Sequence, residues 1–257
     1  MSLRRCPLFL LVFLLTAGCG KKAPTDPEPS AIADLIQTEP VRFITSDGFT
    51  ISGTWFSSNR QQGAWPVVVL LHMFGGNQGQ WTPFVPEMVE RGYLVLAFDL
   101  RGHGQSTDRN GSFAPRTLFS REDIDSMPLD VKAAIEWIKT RSEADAQRIG
   151  LIGVDIGANI AYISSGTLSG IKTAVSISPD NQQGVLTGEG IPDFQPRSVL
   201  FLAAFGDGYA FTSAEAMAEQ TQNPKRVKGY QGTARGFFLF NDADVQSEVF
   251  SWLRENL

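Results

Sequence analysis

Residues 148–161, RIGLIGVDIGANIA, constrain the fold of this chain more than any other stretch. The apolar run at residues 149–152 predicts a buried strand, and the residues after the turn predict a helix. Between the two, Gly153 and Gly157 flank Asp155. Glycines at these places let a strand and a helix approach closely around a sharp, strained turn, which directs the central side chain outward at the carboxyl edge of a sheet.

The remainder of the sequence alternates strand-like and helical segments. Further strands are expected at residues 41–45, 49–56, 67–71, 94–98, 174–177, 198–203 and 227–230, and helices at residues 81–91, 127–140, 214–221 and 245–254. Such alternation predicts an α/β fold with a mostly parallel central sheet and helices on both faces. Because only a loop is expected at residues 178–197, no large lid should cover the carboxyl edge of the sheet.

The helix at residues 127–140 has the clearest amphipathic pattern. Val131, Ile135 and Ile138 fall on one face, and charged residues such as Asp130 lie largely elsewhere. The composition supports a substantial core, since 42% of the 257 residues are hydrophobic and 18 are Phe. A chain of this length suits one α/β domain.

Three stretches taken together resemble a known family. They are LLHMFGGNQGQW at residues 70–81, YLVLAFDLRGHGQS at residues 93–106 and IGLIGVDIGAN at residues 149–159. In order and spacing they resemble bacterial α/β-hydrolases of the esterase and dienelactone-hydrolase-like type. The resemblance covers residues 41–257 and implies the α/β-hydrolase fold.

The resemblance also implies a Ser nucleophile, a His base, an acid that orients the His, and two backbone N–H groups that form an oxyanion hole. Carried over position by position, the nucleophile position is Asp155, the acid is Asp207 and the His position is Arg235. The backbone N–H groups of Met73 and Ile156 are the expected oxyanion donors.

Two of these three catalytic groups lack the expected chemistry. Asp155 has no hydroxyl to acylate, and the Arg235 guanidinium stays protonated and cannot act as a base. We therefore expect a catalytically impaired hydrolase with a binding or scaffold role. The alternatives are an active hydrolase with an altered mechanism, or a purely structural role in the cell envelope. An Asp nucleophile acting on an epoxide or haloalkane would need a His to activate water for the second step.

The residues that replace the catalytic groups have a structural interpretation. A cation at Arg235 could lie between Asp155 and Asp207 as an ion-paired triad, which would explain why the His position holds Arg. The chain has two His, His72 and His103, and the resemblance implies that both brace loops.

The amino-terminal region predicts a lipid-anchored protein. Residues 1–18 have the charged and apolar regions of a signal peptide, and Thr16-Ala17-Gly18-Cys19 resembles a bacterial lipobox. The resemblance implies acylation of Cys19 and a partner in the lipid bilayer. Residues 19–40 predict a Pro-rich tether with a short helix near residues 31–37. Without Asp after Cys19, the outer membrane is favoured in a Gram-negative cell envelope.

Charge and composition limit the remaining classes of partner. The formal net charge is −5 and no basic stripe is present, so the sequence does not favour nucleic-acid binding. No cofactor and no metal site are expected. The small-molecule or protein ligand of a binding role is not specified by the sequence.

Overall fold

The computed structural model describes residues 35–181 and 191–257, and its organising element is one central sheet. In these residues ten strands form the sheet. They are β1 (Ile36–Ile44), β2 (Phe49–Ser58), β3 (Trp65–Leu71), β4 (Leu94–Phe98), β5 (Asp108–Arg109), β6 (Ser112–Phe113), β7 (Ala144–Val154), β8 (Ile171–Ile177), β9 (Arg197–Ala204) and β10 (Gln222–Tyr230).

The helices connect and cover these strands. They are α1 (Val85–Glu90), α2 (Arg121–Asp125), α3 (Pro128–Ile138), α4 (Ile156–Thr167), α5 (Ala210–Glu219), α6 (Phe237–Phe240) and α7 (Ala243–Asn256). Among the described residues, no helix is both long and apolar enough to cross a membrane.

The strand order is β10-β9-β8-β7-β3-β4-β2-β5-β6, with β1 paired to β2. Six neighbouring strands, from β10 to β4, are parallel, and β2 joins them antiparallel to β4. The predicted α/β fold with a mostly parallel sheet is confirmed. The carboxyl ends of β3, β7, β9 and β10 therefore meet at one edge, which is where the predicted site residues lie.

Each face of the sheet buries its own hydrophobic core. One core packs α3, α4 and α5 against the sheet, and the other packs α1, α6 and α7. The centre of β3 is fully buried, as an apolar run covered on both faces requires.

Several predicted boundaries differ from those of the structure, and two of the differences involve a proline. The sheet begins at Ile36, before the expected domain start at residue 41, and Pro40 lies inside β1. Among the described strands β1 pairs only with β2, and an edge strand tolerates the missing N–H of a proline. Ile36 and Gln37 are thus strand residues and not part of a short helix. Likewise, the helix expected at residues 81–91 starts only at Val85, next to Pro86, because proline is favoured in the first turn of a helix.

Asp130, which the helical pattern sets apart from the apolar face, is nevertheless fully buried in α3. Its carboxylate accepts hydrogen bonds from the Nε of buried Arg101 at 2.8 Å and from the Arg101 N–H at 2.9 Å. Arg101 also binds Asp47 in the turn between β1 and β2, at 2.7 Å. An ion-pair network therefore joins α3, the loop after β4 and the turn between β1 and β2. The periodicity of the helix does not predict it.

The signal peptide, the Cys19 lipobox and most of the tether lie outside the described residues, as do residues 182–190 of the predicted loop. Within the described part, no large lid domain covers the carboxyl edge of the sheet.

Candidate active site

The turn from β7 to α4 has the geometry expected of a nucleophile elbow. Asp155 lies at its apex with φ 57° and ψ −116°. This φ is positive, and the ψ lies outside the left-handed helical region that Asp tolerates, so the backbone is strained. A Cβ added at Gly157 would overlap the carbonyl oxygen of Leu71, and one added at Gly153 would overlap that of Gly157. The two glycines are needed because β3, β7 and α4 pack this closely.

Asp155, Asp207 and Arg235 converge at the carboxyl edge of the sheet. The Arg235 guanidinium lies between the two carboxylates, with one nitrogen 2.6 Å from an oxygen of Asp155 and another 3.3 Å from an oxygen of Asp207. Asp207 follows β9 and is buried, whereas Arg235 follows β10 and its side chain is 40% exposed. The three side chains form the predicted ion-paired triad.

The environment of Arg235 keeps it charged. Burial of the guanidinium lowers its pKa, but the hydrogen bond to Asp155 and the negative charges of Asp155, Asp207 and Asp180 outweigh that effect and raise the pKa above its ordinary value. The His position of the predicted triad therefore holds a permanent cation that cannot accept a proton.

The second oxygen of Asp155 contacts the loop that follows β3. It accepts a hydrogen bond from the backbone N–H of Phe74 at 3.2 Å. The oxyanion-hole donor expected from the sequence in this loop is the backbone N–H of Met73, one residue earlier. Ile156, the other expected donor, opens α4 and lines the same cavity as Asp155. Both carboxylate oxygens of Asp155 are thus engaged by the protein itself.

His72 braces two loops at this edge. Its Nε2 accepts the Leu100 N–H at 2.9 Å, so Nδ1 carries the proton that is donated to the Met73 carbonyl oxygen at 2.8 Å. Burial holds the pKa of His72 at about 4. A neutral ring with both nitrogens occupied cannot serve as a general base for Asp155.

His103 has a similar structural position. It is buried, and its Nδ1 lies 2.9 Å from the Arg101 carbonyl oxygen. Its ring packs edge-on against His72, with the centroids 5.1 Å apart. Burial lowers the pKa of His103. Neither histidine replaces the missing base.

Ser178 is a site residue that the sequence analysis missed. Its Oγ accepts the backbone N–H of Gly236 at 2.9 Å, next to Arg235, and this bond joins the loops that follow β8 and β10. Gly236 has φ 59° and ψ −124°, a conformation open to glycine at little strain. No sequence pattern marks Ser178, because its role depends on a residue 58 positions away.

A cavity of about 230 Å³ opens beside the ion pair. Its lining combines apolar and polar side chains: Phe74, Ile124, Asp155, Ile156, Asn159, Asp180 and Arg235. A larger, shallow groove of about 770 Å³ is lined by residues such as Gln37 and Arg141. It lies where β1 begins, remote from the predicted site residues. In the described ranges no group of His, Cys, Asp and Glu is arranged to hold a metal ion.

Large hydrophobic side chains are exposed around the same edge of the sheet. In the described part of the chain these residues are the last of a strand or lie in the segments that follow one: Ile44, Phe74, Phe113, Leu118, Phe205, Tyr209 and Phe238. We call this set the apolar rim.

Comparison with known proteins supports the fold and its family. A sequence model of the α/β-hydrolase fold matches residues 66–249. The uncharacterized protein YfhR of Escherichia coli O157:H7 is 27% identical in an alignment over 201 residues that covers 74% of this chain and 66% of YfhR. The chain therefore spans less than two thirds of the length of this curated relative.

Solved structures show the same architecture. The Pyrococcus furiosus esterase Pf2001 superposes with a TM-score of 0.67 at 19% identity, covering 88% of this chain and 94% of the esterase. The hypothetical protein PA2218 of Pseudomonas aeruginosa gives a TM-score of 0.70 at 15% identity, with coverage of 96% and 100%. At these identities the likeness concerns the fold alone.

Proposed function

The chain belongs to the α/β-hydrolase fold family, and from that premise we propose that it is a catalytically impaired member, a pseudo-hydrolase, with a binding or scaffold role. The observation that carries the proposal is the ion pair of 2.6 Å between Arg235 and Asp155. The pair joins a permanent cation, at the residue we assign to the position of the family's base, to the residue we assign to the nucleophile position.

Acyl transfer needs groups that this site lacks. A carboxylate cannot form the acyl-enzyme of an esterase, and removal of the His base alone lowers such activity by several orders of magnitude. Of the two histidines of the chain, His72 has both ring nitrogens bonded to the backbone, and His103 is buried with its Nδ1 against the Arg101 carbonyl oxygen. The remaining parts of the site, the elbow and a backbone donor at Phe74, support the fold and do not restore a proton acceptor.

A binding role is supported by the surface around the site. The cavity beside Asp155 and the apolar rim share the carboxyl edge of the sheet, which is the usual ligand-binding edge of open α/β sheets. A ligand or partner that covers this edge would bury hydrophobic groups that are now exposed to solvent.

The alternative function is an active hydrolase with an Asp nucleophile. One observation favours it: an oxygen of Asp155 is held by the Phe74 N–H, which would orient the other oxygen for attack. That other oxygen, however, is the one bound to Arg235. Any ester formed at Asp155 would also lack a His to activate water for its hydrolysis.

An activity panel on the folded domain separates these functions. We expect no turnover above background with short-chain p-nitrophenyl esters, a lactone, an epoxide and a haloalkane. Hydrolysis by the wild-type chain that disappears in Asp155→Ala would overturn the pseudo-hydrolase proposal. As a positive control, the double change Asp155→Ser with Arg235→His should introduce esterase activity, because the elbow and the Phe74 donor are already in place.

We further propose that the protein is a lipoprotein of the bacterial cell envelope, anchored through acylated Cys19. The support is the sequence of residues 1–22, with its apolar segment, small residues before Cys19, and no Asp after it. Multiple acyl chains give stable attachment to a bilayer. Residues 20–35 then connect the anchor to β1, where the folded sheet begins.

A further inference from the structure

Two loops at the carboxyl edge of the sheet are joined through one imidazole ring. His72, the first residue after β3, accepts the Leu100 N–H from the loop that follows β4. We propose that this contact is an acid-sensitive clasp: when His72 takes up a proton, the clasp opens and the loop after β3 separates from the loop after β4. Such a clasp acts on the conformation of the loops and does not depend on whether the site turns over a substrate.

The hydrogen bonds of His72 leave no place for a second proton. Its Nδ1 proton is donated to the Met73 carbonyl oxygen at 2.8 Å, and its Nε2 accepts the Leu100 N–H at 2.9 Å. The ring is fully buried. A proton added to Nε2 would point at the hydrogen of the Leu100 N–H, and two donors that face one another cannot form a hydrogen bond. The closed clasp therefore excludes the imidazolium, and protonation requires His72 and Leu100 to separate.

The surroundings of His72 also act against a positive charge in the closed clasp. Burial is the main reason that the pKa of His72 is lowered to about 4, and the nearby His103 contributes to the lowering. The charge of Asp99 acts in the opposite direction. The oxygens of this carboxylate, however, already accept the N–H groups of Gln78 and Gln105, each at 2.8 Å. A cation on the buried ring would gain little from a carboxylate that the backbone already engages.

His103 lies against the clasp but does not form it. Its ring packs edge-on against that of His72, with the centroids 5.1 Å apart. Its Nδ1 donates to the Arg101 carbonyl oxygen at 2.9 Å, and its Nε2 has no hydrogen-bond partner in the part of the chain that the structure describes. Burial lowers its pKa, as does the charge of Arg116, whereas Asp99 acts in the opposite direction. Because proton uptake at His103 breaks no hydrogen bond, His72 is the ring whose titration couples to loop movement.

The loop after β3 forms one wall of the cavity beside Asp155. Two residues beyond His72, the Phe74 N–H donates to Asp155 at 3.2 Å. The Phe74 side chain lines the cavity, and its ring packs edge-on against His103 with the centroids 5.5 Å apart. Opening of the clasp would withdraw these contacts together. Acid should therefore widen the cavity and release one oxygen of Asp155.

Hydrogen–deuterium exchange of the protein, followed by NMR between pH 7 and pH 4.5, tests the clasp. The population in which the Leu100 amide is open should rise about tenfold for each pH unit below 6.5, because one proton is taken up on opening. The Phe74 amide should show the same dependence. At each pH the open population of Leu100 should exceed that of Val69, in the fully buried centre of β3, by at least about tenfold. Equal open populations of Leu100 and Val69 at every pH would overturn the proposal, because only global unfolding would then expose Leu100.

Two variants separate the histidines. In His72→Gln the amide oxygen still accepts the Leu100 N–H and does not titrate, so the open population of Leu100 should no longer depend on pH. His103→Asn is the matched control, because its amide N–H can still donate to the Arg101 carbonyl oxygen, and it should keep the tenfold rise per pH unit. If His72→Gln retains the wild-type dependence, or His103→Asn abolishes it, His72 does not open the loops. The wild-type comparison with Val69 decides the matter if a variant does not fold.

Discussion

Arg235 lies between two carboxylates that would repel one another in its absence. Asp155 and Asp207 come from different loops, and the guanidinium satisfies one oxygen of each. The bond to Asp155 is short and that to Asp207 longer, so the two contacts are unequal. Because Arg235 is partly exposed, each contact contributes less than it would in a fully buried pair.

Arg235→Ala should therefore destabilise the domain by about 1–2 kcal/mol, between the values for exposed and buried ion pairs. The measurement is urea unfolding at neutral pH. Arg42→Ala in β1, where the side chain is exposed, is the control and should change stability by less than about 0.5 kcal/mol. Adding Asp207→Asn to Arg235→Ala should recover part of the loss, since it removes one of the two unpaired carboxylates. A change of only a few tenths of a kcal/mol in Arg235→Ala would contradict the ion-paired triad.

His72 makes the stability depend on pH. Its pKa in the folded state, about 4, lies below the ordinary value of 6.5, so below pH 6.5 the unfolded chain takes up a proton that the folded protein does not. Stability should be full above pH 6.5 and fall by about 3 kcal/mol as the pH drops through 4.

His72→Gln isolates this contribution, because its amide oxygen can still accept the Leu100 N–H and does not titrate. The difference in unfolding free energy between the wild type and this variant should change between pH 7 and pH 4. His103 also has a lowered pKa and remains in both proteins. If the unfolding free energy changes with pH equally in the two proteins, His72 is not the source of the pH dependence.

At the scale of elements, the elbow persists without the nucleophile that usually occupies it. Its shape depends on the close packing of β3, β7 and α4, and the glycines make that packing possible. The strain at Asp155 is maintained by the surrounding strands and helix. A strained apex can thus be retained when the residue at its centre is Asp and not Ser.

Gly157→Ala should destabilise the domain by about 2 kcal/mol or more, because the new Cβ overlaps the carbonyl oxygens of Leu71 and His72. An unhindered Gly-to-Ala change in a helix would instead stabilise by up to about 1 kcal/mol. Thr167→Ala at the exposed end of α4 is the control and should have little effect. Thermal unfolding measures whether Gly157→Ala destabilises or stabilises the domain.

Asp130→Asn tests the buried network that joins α3 to the loop after β4. It removes one of the two charges paired with Arg101, which is itself fully buried, and should cost about 3–5 kcal/mol. Asp125→Asn makes the same chemical change in an exposed pair with Arg121 and should cost less than about 1 kcal/mol. If the two variants lose the same unfolding free energy in denaturant, the burial of Asp130 does not add to the strength of its ion pair.

At the scale of the whole molecule, the start of β1 and the candidate site lie at opposite edges of the sheet. β1 begins at the amino edge, opposite the end of β2, and the apolar rim lies at the carboxyl edge. A tether that enters at the amino edge would leave the rim accessible to partners on the side away from its attachment point.

Cys19→Ser should release the full-length protein from the membrane fraction of a bacterial host, because acylation at Cys19 supplies the proposed attachment. Cys6→Ser is the matched control, since the chain has two Cys and Cys6 lies in the segment expected to be removed. Cell fractionation followed by immunodetection measures how the protein is distributed between the membrane and soluble fractions. A Cys19→Ser protein that stays with the membrane would contradict the lipid anchor.

Much of the fold could be predicted from local sequence patterns. The strands β3 and β4 and the helices α3 and α7 have strong apolar periodicity, and each was found within a few residues of its predicted position. The short elements β5, β6, α2 and α6 were missed, because two to five residues carry too little periodicity to distinguish them from loops.

The sequence by itself determined the fold class and the absence of a Ser and a His at the catalytic positions, because glycine spacing, strand–helix alternation and residue identity are local properties. The tertiary structure alone decided the contacts. Arg235 binds carboxylates 80 and 28 positions away, and Phe74 rather than Met73 reaches Asp155. Such contacts depend on the register and packing of distant strands, which no local pattern encodes. The Asp at the elbow is therefore one end of an ion pair, and its role follows from the strand that brings Arg235 beside it.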